Sequence, residues 1–224
     1  MPGGETPVAS TRRPKGGEGS VPRSRVGRGL GARRPAVQAL GELEKSGGNC
    51  YNGQVLGPDD FRCAMSHFAT GVTIITAWDA DHRPTGLTAS SFTSVSLHPP
   101  LILVCVSQKA QSYPAIKAAG RFAVNILCTG QEAVSRRFAT APSASGEEKF
   151  AGLEYRPGAG GLPVLDDALA ALECTVVHAY PGGDHTIFVA QVDAADCRDQ
   201  AGLEPLLYFR GKYSRLHSQP GGSR

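Results

Sequence analysis

Long apolar runs are missing from this chain. The longest, Leu101 to Val106, has six residues, where a membrane-spanning helix needs about 20. That excludes such a helix. Cysteine is scarce too, six in 224 residues, which is too sparse for a disulfide scaffold. No two of them form a CxxC pair, and no Cys/His spacing suits a structural zinc. HExxH and the GxSxG nucleophile elbow are also absent. Metal catalysis and serine-hydrolase chemistry are therefore left without a carrier. Charge is modest at 19% of residues against 41% apolar, which suits a packed core rather than a disordered chain.

Aromatic residues are almost confined to one part of the sequence. Residues 1–54 hold only Tyr51 of the 15, together with 12 Gly, 5 Pro, and nine Lys/Arg against four Asp/Glu, a net charge of +5. Residues 55–224 carry 14 Lys/Arg against 16 Asp/Glu, a net of −2. The first segment has too few large apolar groups to offset an ordering cost of roughly 1–2 kcal/mol per residue. Residues 1–54 are expected to be a disordered basic tail, residues 55–216 the folded domain, and residues 217–224 a flexible end. No apolar stretch of the roughly 7–15 residues of a secretory signal occurs, so a cytoplasmic location is expected. The arginines have no interleaved aromatics for base stacking, so no specific nucleic-acid binding is expected either. Gly27 to Ala32 matches GxGxxA. That fingerprint works only when a strand delivers it to a helix, and no strand precedes it.

The domain reads as many short strands with three helices. Pro58-Asp59-Asp60 opens a helix with Phe61, Ala64, Met65 and Phe68 on one apolar face and Gly71 at its end. Strands follow over Val72 to Trp78, Thr85 to about Val95, and Leu101 to Ser107. Ser112 caps a helix that runs to Gly120, and Arg121 to Leu127 is again a strand. A helix over Gln131 to Phe138 and a polar loop come next. Leu169 to Ala179 and His185 to Ala194 flank a Pro181–Asp184 turn, and Leu206 to Leu216 is the last strand. Lack of βα alternation disfavours a Rossmann fold. The predicted class is mainly β with a few helices, a small antiparallel barrel.

Chemistry concentrates in a few segments. Thr85 to Ser94 loads hydroxyls and a glycine onto a strand, donors suited to a phosphate or a heterocycle. Two-residue periodicity puts Thr88 and Ser90 on one face. Ser107 to Ser112 adds hydroxyls and Lys109 ahead of a helix. Asn125 is a polar residue in an apolar strand and needs a partner. His185 follows a Gly-Gly-Asp turn. Each also has an ordinary reading as a solvated strand, a capped helix, a satisfied buried amide or a turn histidine.

Together, FRCAMSHFATGVTIIT (61–76), TGLTASSFTSVSLHPPLILVCVS (85–107), RFAVNIL (121–127), KFAG (149–152), GDHTIFVAQV (183–192) and PLLYFRGKY (205–213) resemble the flavin reductase family. The resemblance implies an FMN-binding split β-barrel. It also implies an NAD(P)H:flavin oxidoreductase, the homodimeric reductase component that supplies reduced flavin to a separate monooxygenase. The implied cofactors are FMN or FAD, with NADH or NADPH. Carried over by motif, Thr88, Ala89, Ser90 and Ser91 line the flavin, and Ser107, Lys109 and Ser112 hold its phosphate. Phe122 and Asn125 flank the same site. Gly183, Asp184 and His185 meet the nicotinamide, with His185 as the catalytic candidate and Arg210 and Tyr213 as further contacts. Ala110 departs from the family, where a serine often follows the lysine. The alternatives are a split-barrel protein that keeps its flavin and reduces another acceptor, and a non-catalytic flavin- or haem-binding module.

Overall fold

The computed structural model describes residues 50–51, 54–139, 146–198 and 202–216. The chain divides into two units, Met1–Cys50 and Tyr51–Arg224, and the description that follows concerns the second. The tails expected over 1–54 and 217–224 fall almost wholly outside the described residues.

In chain order the elements are β1 (Cys50–Tyr51), β2 (Gln54–Val55), α1 (Pro58–Ser66), β3 (Thr70–Gly71), β4 (Thr73–Trp78), β5 (Pro84–Ala89), β6 (Phe92–Leu97) and β7 (Pro100–Ser107). Next come α2 (Tyr113–Ala119), β8 (Arg121–Ile126), α3 (Glu132–Ala139), α4 (Gly146–Phe150), β9 (Tyr155–Pro157) and β10 (Pro163–Leu165). The long hairpin β11 (Ala170–Gly182) and β12 (His185–Cys197) follows, and the short pair β13 (Leu207–Phe209) and β14 (Lys212–Ser214) ends the domain.

Seven strands form one antiparallel sheet in the order β5-β4-β8-β11-β12-β7-β6. Its two edge strands, β5 and β6, are consecutive in sequence and separated only by Ser90 and Ser91. With every pair antiparallel, an odd number of strands makes the two edges run the same way. A parallel neighbour would need a crossover of about a dozen residues or more, and two cannot supply it. So β5 and β6 are two halves of one bent strand that leaves one edge of the sheet and enters the other. This curls the sheet into a barrel. Thr73 Oγ1 donates to Ala89 O (2.7 Å) on the β4 side, and Ser91 Oγ donates to Cys105 O (2.9 Å) on the β7 side. The single strand expected over 85–95 is therefore broken at this corner.

Alternation places the core. On β7, Ile102, Val104 and Val106 point inward and are buried, meeting Phe122, Val124 and Phe188 inside the barrel. On β4, Ile75 joins that cluster while Ile74 joins a second one, with Leu127, Phe138 and Phe150, under α3 and α4. Gly86 is obligatory there, because a Cβ would lie 2.6 Å from Ile75 O and 3.1 Å from the Phe138 ring. Asn125 is fully buried: its Nδ2 donates to Ile74 O (3.1 Å) and Thr76 Oγ1 (3.0 Å), and its Oδ1 accepts from Leu165 N (2.8 Å).

Three expectations are corrected. The first helix ends at Ser66, not at Gly71, because Thr70 and Gly71 pair with β13. Its apolar face is not core: Phe61 is 55% and Phe68 is 68% exposed. The strand expected over 206–216 is a hairpin, since Arg210 (φ 49°) and Gly211 (φ 74°) both take the left-handed backbone of a two-residue turn.

Candidate functional site

The corner between β5 and β6, the loop after β7 and the tip of the β11–β12 hairpin build one rim. Gly182 pairs with His185, so the turn is Gly183-Asp184 alone, with positive φ (70°) only at Gly183. That is the pattern of a type II′ hairpin, which favours glycine at its first central position. The strands therefore run through Pro181 and Gly182, further than their turn-like composition suggests. His185 also pairs with Ser107 across β12 and β7. Gln108 N donates to Asp184 O (3.1 Å), and Gln108 Nε2 donates to His185 O (3.4 Å). The 107–109 loop and the 183–185 turn are thus held together.

His185 Nδ1 lies 2.7 Å from Asp184 Oδ1. This hydrogen bond and the charge of His185, with Lys109 adding a smaller attraction, hold the Asp184 carboxyl below the usual carboxylate range. An ionised carboxylate only accepts, so Nδ1 must carry the proton, which leaves Nε2 for another partner.

Beside this turn lies a cavity of about 290 Å³, lined by Leu87 and Thr88 of β5, Ser107, Lys109, Ala110 and Gln111, Phe138 and Ala139 of α3, and Lys149 of α4. Among the described residues it is lined by two lysines and no carboxylate. Thr88 is fixed on its wall by donating Oγ1 to Ser135 O (2.7 Å). Lys109 N donates to Ser107 Oγ (3.3 Å), which closes the loop on itself. Lys149 is 5% exposed, and burial pushes its ammonium pKa below the usual lysine value. Larger cavities exist, but among the described residues those of about 340, 440 and 750 Å³ do not combine two cations with the absence of a carboxylate. The one of about 750 Å³ holds Glu132, Arg136 and Tyr213, with Arg136 paired to Glu132 at 2.7 Å.

The predicted residues are distributed unevenly. Thr88, Ser107, Lys109, Gly183, Asp184 and His185 come together at the rim. Ala89 is buried at the corner. Ser90 lines a different cavity, with Phe68, Thr70 and Phe92, so the single face expected for Thr88 and Ser90 is lost where the strand bends. Ser91 is tied to Cys105. Phe122 and Asn125 are fully buried and present no atom at the rim. Their place is the core, because the amide of Asn125 is saturated by protein. Ser112 is also buried, and its hydroxyl has no partner among the described residues. Arg210 sits at the β13–β14 turn with its N–H donating to Ser66 O (2.8 Å). Tyr213 OH meets Ser135 Oγ (2.8 Å), and the Arg136 guanidinium stacks on its ring. Neither shares a cavity or hydrogen bond with His185 among the described residues. The residue that sequence reasoning missed is Lys149. Its signal was present in KFAG, but an isolated lysine in a polar stretch reads as a surface residue.

A barrel closed by one bent strand, with a cationic, hydroxyl-lined rim beside a histidine turn, defines a split-barrel protein built for an anionic cofactor. Residues 65–217 match the model of the flavin reductase like domain, and the chain belongs to that family. It is 37% identical over 162 residues to the flavin-dependent monooxygenase reductase subunit HsaB of Mycobacterium tuberculosis, covering 72% of this chain and 84% of that one. With the "Probable flavin reductase" of Rhizobium meliloti it shares 42% over 160 residues, 71% of this chain, but spans only 49% of that relative's length. Among solved structures it is similar to the NADH:FAD oxidoreductase SgcE6 of Streptomyces globisporus in complex with NAD and FAD fragments. The TM-score is 0.66 at 35% identity, over 75% of this chain and 100% of that one. The mainly β split barrel expected from sequence is the fold found.

Proposed function

We propose that the chain is an NAD(P)H:flavin oxidoreductase that reduces FMN or FAD and passes the reduced flavin to a separate monooxygenase component. The observation that carries this is the joining of a two-lysine, carboxylate-free cavity to the Gly183-Asp184-His185 turn by the hydrogen bonds of Gln108. The cavity fits a flavin's phosphate end: Lys149 is buried with one long hydrogen bond, and Ser107 and Thr88 bring hydroxyls to its wall. When bound, flavin supplies the hydride acceptor and nicotinamide the donor, chemistry that no side chain here provides.

The protein's own part is to hold and align. Ser107 and Lys109 hold the phosphate, and Thr88 with the 89–91 corner borders the ring. His185 offers Nε2 to the nicotinamide while Asp184 fixes its orientation. Phe122 and Asn125 act at a distance, by fixing β8 against β4 and β10.

The same reading includes a homodimer. Phe61 and Met65 of α1 and Phe68 just beyond its end are exposed apolar side chains, and Phe68 lines a cavity with Ser90 of the corner; exposed apolar surface commonly marks an interface. A monomer in sedimentation velocity would remove that part. Among the described residues no helix is long and apolar enough to cross a membrane, and the reading places the enzyme in the cytoplasm. The activity is tested by following absorbance at 340 nm with protein, FMN and NADH or NADPH. Oxidation above the protein-free rate is expected, and none with either nucleotide would defeat the proposal.

A further inference from the structure

Lys149 is a buried cation for which the described residues supply almost nothing. Its side chain belongs to a residue 5% exposed, and its one hydrogen bond, from Nζ to Gly86 O, is long at 3.4 Å. An ammonium carries three donors. No ion pair involves it among the described residues, and the nearest acid in sequence outside its own peptide neighbours, Glu147, lines a separate cavity with Asp79 and Arg83. A buried charge without a counter-charge is costly to keep. Lys109 lines the same 290 Å³ cavity, so two cationic residues border one space.

We infer that Lys149 is a second, buried phosphate ligand: with Lys109 it forms a two-lysine clamp for the terminal phosphate monoester of FMN. This rests on the flavin reading above. The charge count favours a phosphate over the isoalloxazine ring, because two cations with no carboxylate match a group that carries nearly two negative charges near neutral pH. Ser107 adds a hydroxyl donor on the same wall, since its Oγ only accepts from Lys109 N. The glycine at 86 contributes indirectly. Its missing side chain lets Phe138, which lines the same cavity, close over β5.

The test compares FMN with riboflavin, which differ only in the phosphate, by flavin-fluorescence titration of the wild-type protein and Lys149→Met. The substitution keeps the length of the side chain and removes the unpaired charge, so the variant should fold at least as well; Lys149→Gln is the alternative if it does not. Expected is a loss of FMN affinity of at least tenfold with riboflavin affinity unchanged. Equal losses for both ligands would put Lys149 at the ring, and no loss for either would make it structural; both results overturn the clamp. If the wild-type protein binds neither flavin, the flavin reading fails instead, and inorganic phosphate decides the anion site alone. A rise in Tm with phosphate in the wild type but not in Lys149→Met upholds the site, and an equal response in both overturns it.

Discussion

Glu173 and Lys149 are hidden to nearly the same degree, 4% and 5% exposed, in two regions that treat a buried charge in opposite ways. Around Glu173 the protein closes on the carboxylate: Gly160 N donates to Oε1 (2.8 Å), and Leu162 N donates to Oε2 (2.9 Å). The 158–162 turn is thereby pinned to β11, with Arg121 Nη2 donating to Gly160 O (3.1 Å). Around Lys149, among the described residues, one distant carbonyl is all that answers three donors. A charge saturated by backbone serves the fold. A charge left short beside a cavity serves a ligand, and the stability it costs is recovered only on binding.

Three outcomes would sharpen or break this contrast. The largest concerns Glu173→Ala, which strands the buried Leu162 N–H and the half-buried Gly160 N–H and should lower unfolding free energy by about 2 kcal/mol or more in urea titration. Lys149→Met should not lower it at all. Similar losses in both variants would erase the distinction.

A smaller effect is expected at His185, which is half-exposed and held by a single neighbour. His185→Ala should raise the KM for the nicotinamide several-fold, roughly 1 kcal/mol, with flavin affinity unchanged in steady-state kinetics. An unaltered KM would remove its role.

The smallest is a pH effect. Burial lowers the Lys149 pKa in the folded state, while the unfolded chain keeps the ordinary value of about 10.4. Between the two values the unfolded chain holds more protons, so stability rises with pH across that window and levels off above it. Lys149→Met should lack this increment when thermal melts are compared from neutral to alkaline pH. An identical rise in both proteins would place its source elsewhere.

Much of the fold was legible because it depends on local pattern. The apolar strand at β7, a hairpin turn within 181–184 and the helix before Gly120 follow from residue type and spacing. The corner at Ser90-Ser91 was not legible, because nothing in a continuous run of strand-formers announces a change of neighbouring strand. The face of α1 was misjudged for a related reason: periodicity shows that a helix has an apolar side but not what covers it. At the site, the 107–109 loop and the 183–185 turn, both within the motif stretches, are joined by hydrogen bonds. Phe122 and Asn125 were carried along by their motif although their side chains point into the core. Cys174 behaves as its place in an apolar strand suggests: burial above all, with Asp193 and Glu173 adding to it, pushes its thiol up to about 12, out of reach of thiolate chemistry at neutral pH.

The location of the cofactor is tested most directly by hydrogen–deuterium exchange of the protein with and without FMN. Slower exchange is predicted in the segments 86–91 and 107–112 and at the 183–185 turn, with little change around Tyr213. Protection confined to 129–136 and 206–215, the walls of the larger Arg136 cavity, would contradict the account.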